Sequence, residues 1–255
     1  MTHRRWPWRG ALLAIAAAAC VDVSSPKGRV VSISSLLLPS PGVVRGDVMR
    51  DSTGAPASMR IIAYDASNNP VTGLDAEFFV LDRGAHVDTS GRLVGDSLST
   101  VRVVGTIGGL QTPATSVFVT VGPVKIAATG TIDTLRYRVD GDTAQNLSSA
   151  LGVLVTGAGD TAVAGVVVQY KVTRAPASKP GSPPTVYISD ASARPMSSDT
   201  TDTGGRTNCR RAAVRVTALG AALDSIVVEA SATYKGAPLQ GSPVRLVIRA
   251  RLGGV

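Results

Sequence analysis

The chain has 255 residues, a formal net charge of +8, 44% hydrophobic and 4% aromatic residues, and two cysteines. So few cysteines exclude a disulfide framework, and sparse aromatics argue against recognition by stacking on nucleic-acid bases or sugars. The length allows two domains, each with an adequate apolar core.

Met1 to Gly10 carries Arg4, Arg5 and Arg9 with no acid, and Ala11 to Ala19 is an unbroken run of nine apolar residues before Cys20. A positive start, a short apolar run and small residues at its exit make residues 1–19 a secretory signal peptide. The run is far short of the ~20 residues a membrane-spanning helix needs. Ala17-Ala18-Ala19-Cys20 resembles a bacterial lipobox, with Ala17 in the place usually held by Leu. The resemblance implies that Cys20 is lipidated and becomes the first mature residue, held at a membrane by more than one acyl chain. Ordinary cleavage after an Ala-x-Ala site, leaving Cys20 a plain thiol, is the alternative. Loss of the signal removes Trp6, Trp8 and His3 and lowers the formal charge to +5. From Lys125 onward there are 15 basic against 9 acidic residues, whereas Cys20 to Val124 has 8 against 9, so the basic excess belongs to the second half.

Residues 20–29 are short, polar and turn-rich, as a lipid-anchored tether would be. Residues 30–123 form a first expected domain. Its strand candidates are Val31 to Ser34, Met59 to Tyr64, Glu77 to Leu81, Thr100 to Val104 and Ser116 to Val121, where Val117, Val119 and Val121 put apolar residues on one face. Residues 124–251 form the second. Its candidates are Thr134 to Val139, Gly152 to Val155, Val166 to Val172, Thr185 to Ile188, Ala212 to Thr217, Ser225 to Thr233 and Val244 to Arg249. The last two read as a hairpin closed around Lys235-Gly236-Ala237-Pro238. Ala175 to Pro195 is an insertion, Pro/Ser-rich at its start, expected as an exposed loop with one short strand. No window has a sustained helical period with caps, and the spacing of turn signals indicates a sandwich or barrel.

The two halves echo each other. Asp65 to Phe78 (DASNNPVTGLDAEF) lies over Gly157 to Tyr170 (GAGDTAVAGVVVQY) without a gap, which sets Val71 on Val163, Gly73 on Gly165 and Phe78 on Tyr170. Asp88-Thr89-Ser90-Gly91-Arg92 matches Asp202-Thr203-Gly204-Gly205-Arg206 in type and order. Gly73, Gly91, Gly165 and Gly205 fall in expected turns, where glycine readily takes a positive φ. Asp88 and Asp202 are expected to bond backbone amides of their own turns.

These turns, with Asn69-Pro70-Val71-Thr72-Gly73 and the closing Val117-Phe118-Val119-Thr120-Val121, resemble the bacterial immunoglobulin-like repeats of surface proteins and adhesins such as intimin and invasin. The second half is similar to a related branch. The resemblance covers about 220 residues, through turn and core positions. It implies an all-β chain of two tandem Ig-like antiparallel β-sandwiches on an extracytoplasmic surface. It is nearly silent on activity.

The residue inventory offers little for catalysis. His86 is the only histidine after the signal, expected on a loop or strand edge, and nucleophilic catalysis needs a base beside Ser, Thr or Cys. His86 and Cys209 alone do not make a zinc site. Asp140/Asp142 and Asp199/Asp202 pair acids in expected loops without the ligand spacing of a calcium loop. Arg210-Arg211 and Arg245/Arg249/Arg251 could favour an anionic partner, or be ordinary surface charge. The reading is therefore a non-enzymatic cell-envelope lipoprotein with a structural, display or adhesive role, without cofactor, metal or catalytic residue. It would be held at the outer membrane or cell surface through lipidated Cys20, with an extracellular protein or polymer as partner and no specific nucleic acid. A soluble periplasmic or secreted binding module for a polyanion or polysaccharide is the alternative.

Overall fold

Runs of β-branched residues punctuated by Asp-, Asn- and Gly-bearing turns leave the backbone only one regular way to pair its polar groups. The computed structural model describes residues 29–130, 133–137, 146–175, 185–217 and 225–252. The signal segment, Cys20 and the Asp140/Asp142 pair lie outside the described residues. Among the described residues there is no α-helix, and the one helical element is a 3-10 turn at Ala158–Asp160.

The N-terminal half contains β1 (Ser32–Leu37), β2 (Gly42–Val44), β3 (Arg60–Tyr64), β4 (Glu77–Val80), β5 (Ala85–Val87), β6 (Leu93–Gly95), β7 (Ser99–Ile107), β8 (Leu110–Gln111) and β9 (Thr115–Thr120). One sheet runs β2-β9-β7-β4, with β8 returning on β7; β1 pairs β3, and β5 pairs β6. The C-terminal half contains β10 (Pro123–Ala128), β11 (Asp133–Tyr137), β12 (Leu147–Ala150), β13 (Val153–Gly157), β14 (Val167–Arg174), β15 (Val186–Ser189), β16 (Ser198–Thr200), β17 (Ala213–Val216), β18 (Ile226–Ser231), β19 (Thr233–Tyr234), β20 (Ala237–Pro238) and β21 (Val244–Leu252). Its main sheet runs β11-β21-β18-β14-β16, opposed by β12-β17-β15, and β10 pairs β13.

The two main sheets share one plan. In each, the last strand lies between an antiparallel and a parallel neighbour: β9 pairs antiparallel with β7 and parallel with β2, and β21 pairs antiparallel with β18 and parallel with β11. The parallel pairings are the departure from the all-antiparallel sheets expected from sequence. Each half has its own core. Leu36, Val43, Met49, Met59, Leu93, Val101, Val103, Val117 and Val119 form one. Ile126, Leu135, Val153, Val155, Val168, Tyr170, Val214, Ile226, Val228 and Ile248 belong to the larger other.

The echo in the sequence is an echo in hydrogen bonds. Val71 donates its N–H to Ala63 across the Asp65–Asn69 turn, and Val163 donates to Val155 across the Gly157–Thr161 turn. Phe78 and Tyr170 then occupy β4 and β14, each against its own core. Tyr170 is 5% exposed, and its hydroxyl lies 2.9 Å from Thr207 Oγ1 and 3.1 Å from the Leu151 carbonyl. Thr207 Oγ1 also accepts the Val153 N–H at 3.1 Å. Burial pushes the Tyr170 phenol well above the usual tyrosine range, so it remains a neutral donor within this network.

Candidate functional site

The turn aspartates behave as expected. Asp88 Oδ1 accepts the N–H groups of Ser90 and Arg92 at 2.8 and 2.9 Å; Asp202 Oδ1 accepts those of Gly204 and Arg206 at 2.8 and 3.1 Å. The same turn recurs at Asp51, Asp65 and Asp190, each capping the amides two and four residues on. Three residues after each aspartate the chain takes a positive φ, at Gly54, Asn68, Gly91, Ala193 and Gly205. These carboxylates are engaged in holding turns.

The remaining sequence candidates are dispersed. His86 lies on β5, its side chain 57% exposed, with Nδ1 2.9 Å from Asp96 Oδ1. Cys209 is exposed; partial burial pushes its thiol up, and the carboxylates of Asp199 and Asp202 add to the rise. A thiol held protonated is a poor nucleophile. Asp199 is 2% exposed, and its Oδ1 accepts the N–H groups of Thr200 and Arg210 at 2.7 and 2.9 Å. Among the described residues no group of three or more His, Cys, Asp or Glu side chains is placed to hold a metal.

Charge, burial and long-range contact converge where the two sandwiches meet. Only Val121 and Gly122 separate β9 from β10, and Val121 packs against the C-terminal core. Beside this link the backbones of Gly42 and Gly165 touch. Gly165 has φ +75, and a Cβ there would lie 2.8 Å from Gly42 Cα. Neither the conformation nor the space admits a side chain at Gly165 without displacement.

Asp47 is the hub of the junction, its side chain 12% exposed. Within the N-terminal sandwich, Arg50 donates Nε to Asp47 Oδ2 and Nη2 to Oδ1, both at 2.9 Å, and the Val48 N–H reaches Oδ1 at 2.9 Å. From the C-terminal sandwich, the Tyr234 hydroxyl donates to Oδ2 at 2.7 Å, and Lys235 Nζ lies 3.3 Å from the same oxygen. Burial pushes the Asp47 carboxyl up, but the hydrogen bonds from Arg50, Tyr234 and Val48 outweigh it and hold the carboxyl well below the usual range. Burial and the bond to Asp47 push the Tyr234 hydroxyl well above the usual tyrosine range, so it stays a donor. Lys235 and Gly236, both at positive φ, form the two-residue turn between β19 and β20, as paired left-handed residues do in tight hairpins. This turn delivers Tyr234 and Lys235 to the N-terminal sandwich, beside the Asp51–Ala55 turn.

A cavity of about 120 Å³ lies within the junction, lined by residues including Val43, Arg50, Gly165, Tyr234 and Lys235. It is small against the roughly 300–1,000 Å³ of a typical ligand pocket. A wider groove of about 640 Å³ follows β21, bordered by Thr129, Leu151, Arg245, Ile248 and Arg249. The junction cluster can lock two domains together; its charges are spent on one another.

Lys235 is visible in sequence only as a turn residue, and Asp47 and Tyr234 stand 187 residues apart, so no local signal marks their contact. No known protein family and no characterised protein matches the sequence. Among solved structures the chain is similar to surface layer protein SbsC, domains 1–6, at 15% identity and TM-score 0.33, over 89% of this chain and 29% of that one. It is similar to the Yersinia pseudotuberculosis adhesin InvE at 15% identity and TM-score 0.27, over 86% of this chain and 60% of that one. Invasin, a bacterial integrin-binding protein, is matched at 14% identity and TM-score 0.30, over 88% of this chain and 40% of that one. The chain spans less than a third of the SbsC structures it matches first.

Proposed function

We propose that this chain is a non-enzymatic envelope lipoprotein that acts as a stiff two-domain spacer, tethered by lipid on Cys20 at the outer membrane or cell surface and presenting its sheet faces and end loops to partners. The observation that supports this reading is the junction. A two-residue link, a glycine-to-glycine backbone contact and the Asp47–Tyr234–Lys235 cluster fix one sandwich on the other, which suits holding something at a set distance.

The test is intact mass and detergent-phase partition of the protein expressed in a bacterial host, beside Cys20→Ala, with protease treatment of intact cells. A lipid-sized mass increment, lost together with detergent partition in Cys20→Ala, and cleavage from outside are the expected results. An unmodified protein that stays in the aqueous phase would overturn the anchor, and protection from external protease would overturn display at the surface.

A further inference from the structure

The outer face of the C-terminal main sheet gathers an excess of positive charge. Leu135, Ile226, Val228, Ile248 and Ala250 point into the core, so alternation along the strands turns Arg136, Arg245, Arg249 and Arg251 outward. Lys171 and Arg174 join them from β14, where they face Glu229 and Val227 of β18. All six cations are exposed. Glu229, set between Lys171 and Arg245 in the register, is the acid of this face. No carboxylate among the described residues lies within 4.0 Å of any of the six cations.

The arrangement is costly as it stands. Arg136 and Arg251 are direct cross-strand partners on β11 and β21, and like charges placed opposite one another destabilise a sheet. Strand geometry sets Arg136 about 4.8 Å from Arg251 across the sheet and Arg249 about 6.6 Å from Arg251 along β21, with Arg245 about 13 Å further along the strand from Arg249 and Lys171 two strands away from Arg245. A repeating anion laid over this grid would neutralise several at once. Arginine adds a planar fork that can grip carboxylate or phosphate with two hydrogen bonds.

We infer that this face is a binding surface for a linear anionic polysaccharide, read by Arg136, Arg245, Arg249, Arg251, Lys171 and Arg174. The face favours a glycan over the other polyanions. None of its outward residues is aromatic, so it lacks the platforms on which nucleic-acid bases stack. Among the described residues the exposed large hydrophobic side chains are Val31, Leu37, Phe79, Leu81, Leu98, Leu110 and Val124, none of them on this face, so those residues give it nothing to insert into a lipid surface. Arg245 and Arg249 also border the groove along β21, giving the flat face a recess at one side. This inference does not depend on the lipid anchor.

The experiment measures binding of the full chain to immobilised alginate, a linear polyuronate, between about 50 and 200 mM salt. Arg136→Ser/Arg251→Ser should weaken binding about tenfold and flatten the log–log salt dependence by roughly two counterions. Arg136→Lys/Arg251→Lys should retain most of the affinity. Arg45→Ser/Arg83→Ser, which removes two exposed cations from the N-terminal sandwich, should leave binding within about twofold, as expected if location matters more than net charge. Thermal unfolding reports folding of each variant, and alginate should raise the wild-type midpoint more than that of the double serine variant. Equal losses in both serine pairs would reduce the effect to bulk charge and overturn the inference, as would unchanged binding in Arg136→Ser/Arg251→Ser. Tighter binding to single-stranded DNA or to phosphatidylglycerol vesicles than to alginate, at equal anionic charge, would overturn the glycan assignment.

Discussion

Five aspartates hold five turns by one device, and the residue three places on shows how demanding that device is. It needs a left-handed backbone, supplied by Gly54, Gly91 and Gly205, by Asn68, and at Ala193 by a residue with a Cβ, at φ +64. A left-handed alanine is strained by about 1–2 kcal/mol, part of which a glycine returns through the greater entropy of its unfolded chain. Ala193→Gly should therefore stabilise the protein by about 0.5–1 kcal/mol, seen as a higher denaturant midpoint at unchanged slope. An unchanged or lower midpoint would contradict the strain. The buried Tyr170 hydroxyl is the opposite case, a polar group whose value lies in its partners. Tyr170→Phe leaves Thr207 and the Leu151 carbonyl short of one hydrogen bond, and should cost about 1–2 kcal/mol without changing the fold. Urea unfolding and backbone amide spectra of the variant measure both effects.

At the scale of strands and turns, sequence was informative wherever the deciding interaction is local. The strands β3, β4, β7, β9, β14, β17, β18 and β21 fall within or beside expected segments, because alternation and turn residues are properties of neighbours, whereas β10, six residues long, and β12 lie where no strand was expected. The gapless overlay of Asp65–Phe78 on Gly157–Tyr170 predicted a shared turn, and its paired hydrogen bonds are there. Asp51 shows the turn signal of Asp88 and Asp202, while Asp65 and Asp190 carry it with Asn68 or Ala193 in place of glycine and are harder to see. Strands of two or three residues such as β2, β5, β16 and β20 were not legible, since so short a run has no period to read. The parallel pairings and the partnership of Arg136 with Arg251 were equally hidden, being set by the register of distant segments. Arg245, Arg249 and Arg251 are visible in sequence, with Arg210-Arg211, only as part of the basic excess of the second half. The face they share with Arg136, Lys171 and Arg174 required the sheet.

At the scale of the molecule, the junction makes interdomain order depend on one carboxylate. Asp47 is held below its ordinary value of 3.8. Its charged form therefore stabilises the docked state fully at pH values above the undocked value, and that contribution is lost as pH falls toward the depressed one. Interdomain distance distributions, measured by energy transfer between labels on the two sandwiches, should stay narrow at neutral pH and broaden progressively below about pH 4. Asp47→Asn should broaden them already at neutral pH and flatten the dependence. A wild-type distribution unchanged to acid pH, or an Asp47→Asn variant indistinguishable from wild type, would show that the Gly42–Gly165 contact and the short link suffice.

The parallel pairing of an early strand with the last strand has a mechanical consequence. Tension applied between the two ends of the chain draws β2 and β9, or β11 and β21, in opposite directions along their lengths. The rungs joining each pair are thereby sheared together instead of being unzipped one at a time. Bonds from Phe118 N to the Pro41 carbonyl at 3.1 Å and from Arg45 N to the Thr120 carbonyl at 2.8 Å bracket the β2–β9 clasp. In single-molecule stretching, Arg45→Pro removes the second of these donors and should lower the rupture force of the N-terminal sandwich while leaving that of its neighbour unchanged. Equal rupture forces in wild type and variant would place the resistance elsewhere. A chain so fastened would resist being drawn out under shear while its other end stays held.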